Sequence, residues 1–258
     1  MEYFIIPIIA CCASLLTFFS GFGLGTLLLP VVALFFPLPV AVIMTACVHL
    51  LSNFFKLILI GKHADKKIVW RFGIPALIGS VMGAFSLIFL LHIPTIATYH
   101  LWGHLYSIQI LNIVIGVLLI VFTTLEAKKE KITFAPPKHH ALLIGGLLSG
   151  FFGGLSGFQG ALRSLFLIKY TLTKEAFVAT GIAIACMVDI ARIPTYGFSL
   201  PLITLENNIT LFSVTVLAAF VGAYLGNIFL KRIPIHFIKT VMSALIYIIS
   251  VGLIIGIV

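Results

Sequence analysis

Charge is what this sequence has least of. Only 9% of its 258 residues are charged, and the 7 acidic ones face 16 lysines and arginines. A soluble domain carries about 25% charged residues, so this chain cannot coat a water-facing surface. A cysteine framework is also missing. Of the four cysteines, Cys11 and Cys12 are adjacent, while Cys47 and Cys186 sit alone in apolar stretches, without metal-ligand spacing. There are no alternating segments of about ten residues, which excludes a membrane β-barrel. The opening "MEYFIIPIIA" has an acid where a signal peptide keeps its positive region, so it reads as a first apolar segment.

What is present is apolar sequence in long runs: 61% hydrophobic residues and a mean hydropathy of +1.24. The runs are long enough to cross a hydrocarbon core of roughly 30 Å. The fold class expected is an all-α polytopic membrane protein. The net charge of +9 could suggest nucleic acid. In a chain of this kind it reports instead which side of the bilayer the loops occupy, and no nucleic-acid partner is expected.

Helical segments read as 3–19, 24–36, 39–60, 69–91, 105–125, 140–154, 159–170, 175–197, 208–230 and 235–257. Those at 24–36 and 159–170 are too short for complete spans. Lysine and arginine outside the apolar segments cluster at 61–71, 126–140, 169–175 and 231–239, whereas 92–104 and 199–207 have none. By the positive-inside rule the first four are cytoplasmic and the last two face outward. Parity then gives six spans and two re-entrant hairpins, 3–36 from the outside and 140–170 from the inside, with both termini outside. Eight plain transmembrane helices are the alternative, but they put the basic 231–239 segment outside.

An offset of 136 residues superposes the halves across each hairpin and the next helix. Ser20-Gly21-Phe22 falls on Ser156-Gly157-Phe158, Asn53 on Asp189, and Lys56 on Arg192. Further along, "IFLLHIP" (88–94) matches "IFLKRIP" (228–234). The first copy reads as outside and the second as inside, as expected of an inverted repeat. The organisation expected is a first repeat over 1–125, a basic cytoplasmic linker over 126–139, and a second repeat over 140–258.

The stretches "HADKKIVWRFGIPALIGSVMGA" (63–84) and "GAYLGNIFLKRIPIHFIKTVMSALIYI" (222–248), with the pair of glycine-rich hairpin tips, carry a resemblance. In these the chain resembles the TauE/SafE family of sulfite exporters over nearly its whole length. The resemblance implies an integral protein of the bacterial inner membrane that transports small sulfur oxyanions or organosulfonates.

The tips themselves interrupt apolar runs. In hydrocarbon an unsatisfied backbone group costs several kcal/mol, so irregular backbone persists only under cover of protein or beside a watery cavity. Gly21, Gly23 and Gly25 allow a sharp turn in "SGFGLG", as Gly157 and Gly160 do in "SGFQG". The second arm of each hairpin then starts a helix near mid-membrane, an end suited to an oxyanion. Thr26, Ser20 and Ser156 are hydroxyls beside these ends; the two serines read equally as N-caps. The glycines could alternatively serve helix packing alone. Gln159 at the second tip is a neutral donor. Arg163, where the first half has Leu27, offers a fork of donors suited to sulfonate or sulfite oxygens and is the leading substrate contact.

Ionisable residues within the bilayer are by default functional candidates. His49, Asn53 and Lys56 share one face of segment 39–60, and Asp189 and Arg192 the matching face of 175–197. Asn53, Lys56 and Arg192 are candidates for the substrate route; His49 and Asp189 are candidates for a proton relay. Bland alternatives stand beside these. Lys56 could snorkel to the cytoplasmic surface, Asp189 could neutralise Arg192 in a structural ion pair, and His49 could be a packing residue.

No nucleophile elbow, phosphate-binding loop or metal-ligand spacing occurs, so no enzyme, metal or cofactor is expected. With no ATPase signature, the energy source expected is a gradient. The leading expectation is export of a small oxyanion, since moving one negative charge outward across an inside-negative membrane releases about 2.3 kcal/mol per 100 mV. The alternatives are proton-coupled uptake of an organic anion and a non-transporting subunit of a sulfur-metabolism complex. The partners expected are a small anion, the lipid bilayer and possible further copies of the chain.

Overall fold

The computed structural model describes residues 1–20, 24–101, 103–128, 140–197, 208–229 and 235–257. Ten α-helices lie among them: α1 (Glu2–Ser20), α2 (Leu24–Ala33), α3 (Leu38–Ile60), α4 (Lys66–Leu91), α5 (Ile110–Lys128), α6 (Ala141–Ser156), α7 (Gln159–Leu167), α8 (Lys174–Gly197), α9 (Ile209–Phe229) and α10 (Ile235–Ile254). Four stretches are long and apolar enough to cross a membrane: Leu38–His63, Lys66–Leu91, Lys174–Gly197 and Ile209–Ile228. At the helical rise, α2 and α7 reach only about 15 Å, roughly half a hydrocarbon core.

Two faces of α4 explain how such a helix sits. Trp70, Ile74, Ile78, Met82, Phe85 and Phe89, three or four residues apart, are all more than half exposed, an apolar stripe suited to lipid. The opposite face is made of small residues and lies on α6. β-Carbons on Gly79 and Gly83 would collide with the backbone of Leu147 and Phe151, and β-carbons on Gly146, Gly150 and Gly154 with that of Phe72, Ala76 and Ser80. Close approach through small residues is how helices pack where lipid removes the hydrophobic drive. Numbers rise together on both helices, so α4 and α6 run parallel. The start of α4 is fixed by Asp65, whose Oδ1 accepts from the Ile68 N–H at 3.0 Å as an N-cap.

The other pairings follow the same economy. α1 packs on α9, with Gly222 against the Cys11 carbonyl. α5 packs on α10 and α3 on α8; α3 also touches α9, and α4 touches α8. The short helices insert among these, α2 against α1, α3 and α10, and α7 against α6, α8 and α5. Every residue of α2 is buried, as expected of a helix that is apolar all round.

One expectation fails. The segment read as helix from residue 105 begins with a strand: β1 (Ala97–Leu101) and β2 (His104–Ile108) form an antiparallel hairpin, and α5 starts only at Ile110. Gly103, at φ +80°, makes the turn, a backbone conformation that glycine adopts without strain. Tyr99 and Tyr106 stack across it with ring centroids 5.5 Å apart. Thr98 and Tyr99 in "ATYHL", like Tyr106 and Ile108 opposite, suit a pleated surface more than a helix. Tyr99 Oη donates to the Ile255 carbonyl at 2.6 Å, which holds the hairpin at the end of α10. Elsewhere the Asp65 N–H donates to Thr180 Oγ1 at 2.9 Å, tying the turn after α3 to the first half of α8.

Candidate functional site

The turn between α6 and α7 lies deep in the protein. Gly157 ends α6 in the left-handed conformation, φ +80°, and its N–H donates to the Gly153 carbonyl at 2.8 Å. A side chain here would be strained. It would also be obstructed, because a β-carbon on Gly157 would stand 3.1 Å from Arg192 Nη1. The helix that follows starts at Gln159 with Phe158 at its N-cap, and no side chain caps it. From the other half of the chain, α2 arrives at the same place. A β-carbon on Gly25 would be 3.2 Å from the Gly157 carbonyl oxygen and 3.9 Å from Thr45 Cγ2. Glycine at both positions lets the second tip and the start of α2 meet.

Beside this junction α3 and α8 bring their polar faces together. Asp189 is fully buried, and both of its oxygens are engaged. Arg192 Nε donates to Oδ1 at 2.9 Å and His49 Nδ1 donates to Oδ2 at 2.6 Å. With the His49 proton on Nδ1, Nε2 accepts from Asn53 Nδ2 at 3.2 Å. Arg192 Nη1 donates to the Gly153 carbonyl at 3.0 Å, one turn before Gly157, so the guanidinium links Asp189 to the tip. Tyr196 Oη donates to the Gly154 carbonyl. The ion pair considered for Asp189 and Arg192 is therefore present, with His49 as a third member. Lys56 is also fully buried, so it does not snorkel out.

Arg163 lies one turn into α7. Its Nη1 donates to Gln159 Oε1 at 3.4 Å, and its Nε lies 3.2 Å from where a β-carbon of Gly181 would be. It lines a small pocket with Thr17, Gly160, Ser164, Gly181 and Ile182. Of the other candidates, Thr26 is buried in α2. Gly21 and Gly23 lie outside the described residues, as does the side chain of Ser20. Ser156 is not an N-cap: α6 continues through it, and its hydroxyl donates back to the Phe152 carbonyl at 2.9 Å. A serine inside a helix commonly makes that bond.

Three buried side-chain atoms at or near the junction have no hydrogen-bond partner among the described residues: Arg192 Nη2, Gln159 Nε2 and Thr45 Oγ1. A buried polar group left unpaired costs about 1–3 kcal/mol, so a cluster of such groups is a place where a polar ligand stabilises the protein. Thr45 was not among the sequence candidates. One hint was available, since the 136-residue offset pairs it with Gly181, the residue packed on Arg163.

The family model described as sulfite exporter TauE/SafE matches residues 6–253. The chain belongs to this family, which makes it an integral membrane protein of a sulfur-anion exporter class. No curated protein and no solved structure matches it.

Proposed function

We propose that the protein is a secondary transporter that exports a small sulfur oxyanion or organosulfonate, held at mid-membrane where the α6–α7 tip meets the start of α2. The observation that carries this reading is the close approach of Gly25 to Gly157 beside the Arg192 guanidinium, with buried donors around it that have no partner among the described residues. Gly157, Gln159, Gly160, Arg163 and Arg192 form the second tip's contribution. Gly25, Thr26, Asn53 and Lys56 come from the first half, with Ser20, Gly21 and Gly23 assigned by the repeat alone. Ser156 enters only through its hydroxyl oxygen, which can still accept.

The packing pattern supports an inverted repeat of two such halves. If α1 to α5 are exchanged for α6, α7, α8, α9 and α10, the pairings map onto one another: α1–α9 onto α6–α4, α3–α9 onto α8–α4, and α2–α10 onto α7–α5. The pairs α3–α8 and α5–α10 map onto themselves, as pairs do across a two-fold axis. The half-length of α2 and α7 supports re-entrant hairpins, and the boundaries 1–125, 126–139 and 140–258 remain the domain division we favour. The Tyr99–Ile255 bond supports a C-terminus on the same face as the uncharged 92–104 connection, the outer one by the positive-inside rule. Reporter fusions at both ends are expected to read as outside; a cytoplasmic C-terminus would favour eight plain spans.

Flux from proteoliposomes tests the function. Sulfite, thiosulfate, taurine and sulfoacetate, loaded singly, should show protein-dependent efflux for at least one anion, faster when the lumen is negative. The His49–Asp189–Arg192 chain favours a second reading, proton-coupled anion uptake, in which His49 and Asp189 carry the proton. That reading requires flux that follows a pH gradient and ignores the potential. Absence of any flux across the panel would leave the non-transporting subunit.

A further inference from the structure

The polarity of the groups at the tip narrows what it can hold. This inference rests on the tip being an anion site. Arg192 Nη2 and Gln159 Nε2, both fully buried and without a partner among the described residues, can donate and cannot accept. The orientation of the Gln159 amide follows from its neighbour. Arg163 has only donors, so the amide atom 3.4 Å from its Nη1 is the oxygen, and the NH2 end is left over for a ligand. The carboxylate beside Arg192 is withheld: Asp189 gives Oδ1 to Arg192 and Oδ2 to His49. Thr45 Oγ1 can turn either way.

We propose that the tip selects fully ionised oxyanions, whose oxygens are all acceptors, over oxyanions of equal charge and shape that carry a hydroxyl proton. Gln159 is the specificity-determining residue, and Arg163 is the positioning residue that sets its amide. A ligand hydroxyl turned toward Arg192 or Gln159 would set donor against donor in a buried place, leaving both unpaired. Sites built around a fixed hydrogen-bond pattern discriminate strongly for that reason. The ligand class favoured is thus sulfate-like, sulfite-like or sulfonate-like; hydrogenphosphate and hydrogenarsenate bind more weakly although their size and charge match.

Calorimetric titration of the purified full-length protein in nanodiscs, at pH 8.5 and constant ionic strength, tests this. Sulfate and phosphate are then both dianions, and selenate and arsenate form a second matched pair. Sulfate is expected to bind about tenfold or more tighter than phosphate, with the same order for selenate and arsenate. Gln159→Leu should weaken sulfate and bring the ratio toward one. Equal binding of both wild-type pairs would overturn the inference and leave the tip site standing. If none of these anions binds, and sulfite, thiosulfate and methanesulfonate do not either, the tip site itself is wrong. A ratio that survives in monodisperse Gln159→Leu would overturn the role of Gln159. The wild-type comparison needs no variant to fold.

Discussion

Arg192→Gln is expected to keep the protein from accumulating as a monodisperse species, while Arg192→Gln combined with Asp189→Asn recovers much of the yield. Asp189 has no exposure, and its carboxylate is held by Arg192 Nε at 2.9 Å and His49 Nδ1 at 2.6 Å. Removing the arginine leaves a buried negative charge with one neutral imidazole donor. Breaking a buried pair by deleting one partner costs about 3–5 kcal/mol, a large part of an ordinary folding margin. The Gly153 carbonyl also loses one of its two donors, keeping only the Gly157 N–H at the base of the tip. Neutralising both members removes the uncompensated charge and leaves mainly lost hydrogen bonds. Size-exclusion profiles and melting temperatures of the single and double variants provide the comparison. If the single variant accumulates normally yet transports nothing, the ion pair is not structural, and Arg192 acts on the substrate alone.

That Asp189 and Arg192 pair could be seen in the sequence, because residues three apart on a helix share a face. The same periodicity put His49 and Asn53 on one side of α3. What periodicity could not supply was that α3 packs on α8 so as to bring His49 to Asp189, 140 residues away. Such pairing depends on how helices dock, which no local pattern carries. The α6–α7 break was legible because glycine interrupts an apolar run, and the structure puts a left-handed residue at Gly157. Its mate at 21–23 lies outside the described residues. The reading of 105–125 as one helix failed at its start because 104–108 pairs with 97–101, a contact across a turn that a hydropathy window averages away. Thr45 was passed over because a lone threonine in an apolar helix usually bonds its own backbone; here its methyl faces Gly25, and its hydroxyl has no partner among the described residues.

Arg163→Gln is expected to leave the protein folded but to weaken anion binding about ten- to a hundredfold, with Arg163→Lys recovering only part of the loss. The fold should survive because Arg163 borders a pocket, between Thr17, Gly160 and Gly181, that can absorb the smaller side chain or water. Binding should suffer by two routes. A charge-assisted bond from the guanidinium to an ionised oxygen contributes about 1.5–3 kcal/mol, which sets the expected range. The donor that fixes the Gln159 oxygen also goes, so the amide is free to turn its acceptor toward the tip. Lysine keeps a charge and a donor but not the planar fork, hence the partial recovery. The two routes separate in one experiment. Lost charge alone weakens sulfate and phosphate in proportion, whereas a freed Gln159 also lowers the sulfate-to-phosphate ratio. Unchanged affinity in a monodisperse Arg163→Gln protein would remove Arg163 from the site and leave Arg192, Gln159, Thr45 and the tip backbone to hold the anion.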